Sequence, residues 1–186
     1  MPFSHDTVQS LRSVVELVNS GRGANRDEQL ANLDSLSDFV ARHDVSEVTR
    51  LTLQDLYGVR DLRGRVRAVF DAGDDLHAAQ AINALVAKAV VVPRLTDHDG
   101  HGWHMHYFCP GASLTDHLAV SCGMALAQVI GAGERERLRT CAAPDCDNVL
   151  VDLSRNRSKR YCDARTCGNR LHVAAYRERR RGQATG

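Results

Sequence analysis

The sequence lacks the features that mark several large classes of protein. No apolar run approaches the roughly 18–20 residues that a membrane-spanning helix needs, so we expect no membrane segment. The first residues do not combine a basic stretch with an apolar one, so we expect no signal peptide and a cytoplasmic protein with reduced thiols. No glycine-rich phosphate loop, nucleophile elbow or metalloprotease motif is present, so the sequence does not favour an enzyme.

The composition is that of a soluble globular protein, but the charges are unevenly distributed. Of 186 residues, 43% are apolar and 25% are charged, and the net charge is +1. Residues 1–133 carry 11 basic and 16 acidic groups, whereas residues 134–186 carry 13 basic and 7 acidic groups. We therefore expect two domains, 1–133 and 134–186, of which the second is basic and suited to a polyanionic partner.

Most of the first domain is predicted to be helical, because apolar residues recur there at three- and four-residue spacing. Thr52 and Asp55 form a capping pattern at the start of one helix, and Gly133 follows the end of another. Residues 89–95 and 103–108 have β-branched or alternating character around a turn at 97–100, which predicts one β-hairpin. The expected helices cover residues 8–18, 30–40, 52–70, 76–86 and 113–130.

Four of the six cysteines form two pairs near the C-terminus. Cys141 and Cys146 are separated by four residues, as are Cys162 and Cys167, and fifteen residues lie between the pairs. Such pairs deliver four thiolates to one tetrahedral ion, and four thiolates favour zinc or iron. A module of about 40 residues cannot fold on its own core, and in a reducing compartment a metal is a better candidate than disulfides.

We therefore expect one Zn²⁺ per chain, in a closed site that is structural rather than catalytic. Residues 148–151 predict a strand, 158–161 its return, and 169–181 a helix, an order that resembles a treble-clef-like zinc module. The predicted fold class is mainly α: a helical N-terminal domain with one β-hairpin, plus this small C-terminal module. Cys109 and Cys122 have no paired partners, and we expect both to be buried apolar cysteines.

Basic residues surround the paired cysteines, and most of them are arginines, whose guanidinium groups match phosphate and guanine edges. A merely solvated surface would usually intersperse acids, but only Glu178 interrupts the last basic run. We therefore favour contact with nucleic acid. The candidate contact residues are Arg155, Arg157, Lys159, Arg160, Arg165, Arg170, Arg177 and Arg180.

The string Cys167-Gly168-Asn169-Arg170, with the preceding cysteine motifs, closely resembles the CGNR zinc-finger family. Members of that family pair this finger with an N-terminal helical ABATE-type domain and are described as bacterial stress-induced transcription regulators. Residues 17–20, Leu-Val-Asn-Ser, are similar to an early signature of the ABATE domain, with serine in place of the usual threonine. The resemblance implies zinc on the four paired cysteines, DNA binding and transcriptional control.

The resemblance leaves the roles of the motif residues open. Gly168 would let the chain turn tightly beside the metal. Asn169 would bond a backbone group there, and Arg170 would point towards phosphate or brace the module; a purely structural role for both is equally compatible with the sequence.

Histidines crowd the predicted hairpin at positions 98, 101, 104 and 106. On a strand His104 and His106 share one face and Trp103 lies on the other. A metalloenzyme or metal sensor using these histidines is one alternative. A small-molecule effector pocket near Trp103, His104 and His106 is the more plausible one, because a regulator needs an input domain.

The sequence therefore predicts a regulator that binds double-stranded DNA through its finger. A homodimer is expected, because one finger offers little contact area. The alternative from another class is a zinc-finger module that binds protein or RNA.

Overall fold

The computed structural model describes residues 3–21, 27–45, 48, 50–97 and 102–168 of the chain. In these ranges the backbone forms five α-helices and two antiparallel β-hairpins. The helices are α1 (His5–Asn19), α2 (Leu33–Arg42), α3 (Leu53–Phe70), α4 (Asp75–Val86) and α5 (Leu114–Gly131). The strands are β1 (Val91–Thr96), β2 (His104–Phe108), β3 (Leu138–Thr140) and β4 (Val149–Val151). The mainly α fold class is confirmed.

Side-chain caps fix where the helices begin. At the start of α3 the Thr52 hydroxyl accepts a hydrogen bond from the amide of Asp55, whose carboxylate accepts one from the amide of Thr52. Such caps satisfy amides that the first helical turn leaves without a partner. The predicted helix starts at residues 52 and 113 are confirmed to within one residue. The caps of the other helices are Ser4, Asn32, Asp74 and Ser113.

Helix α5 is the central element of the core. It packs against α1, α3 and α4, and ten of its eighteen residues are buried. A Cβ at Gly123 would lie 2.4 Å from Val86 of α4, so the absence of a side chain there allows the close approach of the two helices. By length and composition α5 could cross a membrane, but its burial among the other helices is that of a core helix.

The first hairpin packs against α5. Strands β1 and β2 pair antiparallel, with Arg94 opposite His106. The Phe108 ring stacks on His117 of α5 with 3.5 Å between ring centroids. The predicted hairpin is thus confirmed, although residues 98–101 of its turn lie outside the described residues.

The second hairpin lies between the helical body and the paired cysteines. Strands β3 and β4 pair antiparallel, and all three residues of β4 are buried. Val149 and Val151 belong to the same apolar core as the helices, whereas Leu150 packs with Cys141 and Cys167 on the opposite face. This alternation follows from the two-residue period of a strand. One strand therefore contacts both the body and the cysteine cluster.

Two predictions about the C-terminal module need correction. The strand predicted at 148–151 is confirmed as Val149–Val151, but its partner is β3, and residues 158–161 form no strand. The reason is that the carboxylate of Asp152 binds the amides of Ser154 and Lys159 and holds the chain in a loop. Gly168 has no positive φ, and a Cβ there would meet only ordinary contacts at 3.7 Å, so no tight turn requires this glycine.

The two unpaired cysteines differ from each other. Cys122 is buried in α5 as predicted, and burial raises the pKa of its thiol to about 12. Cys109 is only partly buried because it lies in the loop after β2, so the expectation of burial is wrong for this residue.

Candidate functional site

The four paired cysteines are brought together by short, local elements. Cys141 directly follows β3, and a turn at Asp145, which has a φ of 61°, returns the chain so that Cys146 reaches the same point. Cys162 follows the loop after β4, and Cys167 lies in a π-helical turn, Ala164–Gly168. The hairpin thus supplies one pair of thiols and the turn after the loop supplies the other.

The sulfur atoms have the spacing of a tetrahedral metal site. All four lie within 4.8 Å of one another, with Sγ–Sγ distances of 3.8 Å for Cys146–Cys162 and 3.7 Å for Cys162–Cys167. A tetrahedron with zinc–sulfur bonds of about 2.3 Å has edges of about 3.8 Å. A disulfide needs about 2.05 Å, so these thiols are not disulfide-bonded. In the described residues no other group of His, Cys, Asp or Glu is close enough to hold a metal.

The pKa values of Cys141, Cys146 and Cys162 are also those expected of a metal site that needs a cation to ionise all four cysteines. Burial opposes ionisation of Cys141, but hydrogen bonds from the amides of Cys162 and Ala143 outweigh it, and the pKa of this thiol lies below its usual value. For Cys146 and Cys162 burial prevails and raises the pKa of each thiol. Four thiols this close cannot all ionise without a cation, whereas a bound cation deprotonates its thiol ligands. The donor set therefore fits Zn²⁺.

Hydrogen bonds from neighbouring groups orient the sulfurs. The amide of Cys162 donates to the Cys141 sulfur at 3.4 Å, and the Asn148 side chain donates to the Cys162 sulfur at 3.5 Å. Such outer contacts fix ligand geometry and partly neutralise thiolate charge. Asn148 immediately precedes β4, so a residue next to the strand that contacts the body also orients a ligand.

Residues 154–160, here called the basic loop, are held in place by the fully buried Asp152. Its carboxylate accepts hydrogen bonds from the amides of Ser154 at 2.9 Å and Lys159 at 2.8 Å. The Arg139 guanidinium lies 3.3 Å from the same carboxylate and donates to two loop carbonyls. Burial opposes ionisation of Asp152, but hydrogen bonds from the hydroxyl and amide of Ser154 and from the amide of Lys159 prevail, so its pKa lies below the usual value.

The four basic side chains of the loop are all exposed: Arg155, Arg157, Lys159 and Arg160. Arg157 is engaged within the protein, because its guanidinium binds Glu134 at 2.8 Å and also binds Glu136. Where the structure describes the chain, no ion pair joins the other three to a carboxylate. The loop therefore presents three uncompensated cations, and Arg157 anchors it.

Four of the predicted DNA-contact residues lie wholly or partly outside the described residues. They are Arg165, whose side chain is not described, and Arg170, Arg177 and Arg180. Asn169 and the predicted helix at 169–181 also lie outside the described residues. Their roles stay predictions.

Asn19 joins the helical body to the cysteine module. It is the last residue of α1, and its side-chain amide donates to the carbonyl of Val149 and accepts from the amide of Val149, both at 2.8 Å. Arg67 of α3 adds a hydrogen bond of 2.6 Å to the carbonyl of Asp147. The sequence indicated Asn19 only as part of a family signature and did not predict its contact with Val149. The one local indication of a special role was its place directly after a predicted helix.

A cavity of about 640 Å³ is bounded by α1, α5 and β2. Trp103 stands at its rim and is 71% exposed, and His106 is part of its wall. His98 and His101 lie outside the described residues, as does the side chain of His104. Two of the three residues predicted to form a pocket therefore line one cavity.

The helical body and the cysteine module match two different protein families. Residues 11–133, well over half of the chain, match a family model named ABATE and described as "Putative stress-induced transcription regulator". The chain belongs to the ABATE family. Residues 137–180 match the CGNR zinc finger, so the resemblance inferred from the sequence is confirmed. No curated protein matches the chain.

The two families that match are of regulator and zinc-finger type rather than families of enzymes. Asn19 lies in the ABATE part and Val149 in the CGNR part, so their paired hydrogen bonds join the two family regions.

Proposed function

We propose that this ABATE–CGNR protein is a bacterial transcription regulator of the cytoplasm, involved in a stress response, that binds double-stranded DNA through a zinc-stabilised finger. The observation that carries the proposal is the tetrahedral spacing of four cysteine sulfurs beside a basic loop, within a chain of a regulator family. Two functional parts are proposed, residues 1–133 as the input domain and residues 134–186 as the DNA-binding domain.

One Zn²⁺ per chain, held by Cys141, Cys146, Cys162 and Cys167, would stabilise the fold around the basic loop. Four thiolates leave no open coordination position, so the ion has a structural role. Its contribution is folding free energy, which a module of this size needs.

The basic loop supplies the proposed contact with DNA. Arg155, Lys159 and Arg160 are exposed and free of acidic partners in the described ranges, which suits them to phosphate oxygens. Arg165, Arg170, Arg177 and Arg180 would extend this surface. Because Asp152 and Arg139 hold the loop beforehand, little ordering entropy is lost when it binds.

The input part would receive a small-molecule effector in the cavity lined by Trp103 and His106, and His104 would contribute from the same strand. A volume of about 640 Å³ is that of a typical ligand pocket. A homodimer is proposed for the DNA-bound form, because paired modules supply the contact area that one finger lacks.

The proposal is tested by selecting bound duplexes from a random DNA pool with zinc-loaded protein. The selected duplex should outcompete unrelated duplex DNA and single-stranded RNA of equal length. Enrichment of no duplex sequence, or tighter binding to the RNA, would favour the alternative of a protein- or RNA-binding module. The zinc-free protein, prepared with a chelator, should select nothing.

A further inference from the structure

The wall of the cavity combines flat apolar groups with short polar ones. The apolar part includes Trp103, Met105 and Phe108 of the first hairpin. The polar part includes Ser10 of α1 and Ser121 of α5. Such a wall suits a ligand with a planar aromatic body and one or two hydrogen-bonding groups.

The permanent charges on this wall have one sign. Asp6 and Asp44 are the carboxylates among the described lining residues, and no lysine or arginine is among them. Arg94 lies over the Phe108 ring at 5.9 Å but is not part of the lining. Four histidines, His5, His43, His106 and His117, also line the cavity. The two carboxylates, with no lysine or arginine in the lining to offset them, disfavour an anion.

Helix α1 connects this cavity to the finger. Its first half, from His5 to Ser13, contributes to the wall, and its last residue, Asn19, binds Val149 of β4. A helix moves largely as one rigid element, so a ligand that shifts or orders its first half also changes the position or order of its end.

We propose that this cavity takes an uncharged or cationic molecule with a planar aromatic part and discriminates against carboxylated and phosphorylated ligands. This inference rests on the proposed function, because it assigns a class of ligand to the effector site of the regulator.

The test uses three probes of the same aromatic body and different charge: 1-naphthylmethylamine, 1-naphthylmethanol and 1-naphthoate. Their affinities for the zinc-loaded full chain, without DNA, are measured by calorimetry at pH 7.5. The amine and the alcohol should each bind at least about tenfold more tightly than the carboxylate. Equal or tighter binding of naphthoate, or no binding of any probe, would overturn the proposal.

Two sets of variants locate the binding and its charge preference. Ser121→Phe fills the cavity and should abolish binding of the amine while leaving the helical circular dichroism signal unchanged. Asp6→Asn/Asp44→Asn should reduce the preference for amine over carboxylate by about tenfold, because both wall charges are removed. The matched control is Asp34→Asn/Asp61→Asn, which removes the same charge outside the cavity and should leave the preference unchanged. An unchanged preference in the first pair would contradict the charge argument.

A separate measurement distinguishes this proposal from the proposed function. The affinity of the selected duplex is compared with and without saturating naphthylmethanol. A change supports an effector site, and DNA must then alter probe affinity by the same factor. If the probes bind with the predicted preference but DNA affinity is unchanged, the ligand class stands and the sensing role is wrong.

Discussion

The side chain of Asn19 binds both the amide and the carbonyl of Val149, as a neighbouring strand residue would. Both hydrogen bonds are 2.8 Å long, and Val149 itself is fully buried. A single amide side chain thereby replaces the missing strand partner on one side of β4 and ties the end of α1 to the hairpin that carries Cys141. This contact, the burial of Val149 and Val151 in the core of the body, and the hydrogen bond from Arg67 to Asp147 together hold the finger against the helices.

Replacement of Asn19 by leucine should loosen the hairpin without removing zinc. The leucine has nearly the same shape but leaves both polar groups of Val149 without their partner, which costs about 1–3 kcal/mol in the free energy of unfolding. Hydrogen exchange of the Val149 amide should accelerate, and denaturant unfolding should show the loss of stability. Asn83→Leu, on the exposed side of α4, is the matched control. Unchanged exchange at Val149 in Asn19→Leu would contradict the assignment.

Asp152→Asn should destabilise the basic loop at neutral pH. The folded-state pKa of Asp152 lies below its usual value, so its charged form stabilises the fold at every pH above the unfolded-state value, and that contribution disappears only as pH falls through the folded value. At pH 7 the full contribution is therefore lost in the variant, about 1–3 kcal/mol, because an amide nitrogen cannot accept from the Lys159 amide.

The measurement is the free energy of unfolding of zinc-loaded protein at pH 7, together with hydrogen exchange of the Lys159 amide. Asp147→Asn serves as control, since it removes the same charge from an exposed position beside the same strand. If the two variants have equal stability, the carboxylate does not hold the loop.

Cys162→Ser should remove the metal. Elemental analysis should give one zinc per wild-type chain and almost none in the variant, and amide protection should fall in residues 141–168 while the helices of the body persist. Cys109→Ser, outside the cluster, should keep its zinc. Full zinc occupancy in Cys162→Ser would exclude the four-cysteine site. Two zinc ions per wild-type chain, of which one remains in Cys162→Ser, would point to a further site at the hairpin histidines.

The helices were predictable because their signals are local. The cap at Thr52 and Asp55 and the apolar spacing of α5 are both contained in short stretches of sequence. The cluster of four cysteines was predictable for the same reason, since the two cysteines of each pair are separated by only four residues.

Contacts between distant residues were not predictable in this way. Strand β4 pairs with a three-residue strand that precedes Cys141, and a strand that short has little pattern of its own. The bonds between Asn19 and Val149 join residues 130 positions apart. Arg157 was grouped with the DNA contacts by composition, but the fold places Glu134 beside it.

The most direct test of DNA binding by the finger is the salt dependence of binding to the selected duplex. Each phosphate neutralised contributes about −0.9 to the slope of log affinity against log salt. The triple variant Arg155→Ala/Lys159→Ala/Arg160→Ala should flatten that slope by up to about 2.7 if all three side chains contact phosphate, with zinc still bound.

The matched control is Arg12→Ala/Arg50→Ala/Lys88→Ala, which removes two arginines and one lysine from exposed positions of the body. The account predicts a flattened slope for the loop variant and the wild-type slope for the control. The same slope in both variants, with full zinc occupancy, would mean that the basic loop does not meet DNA.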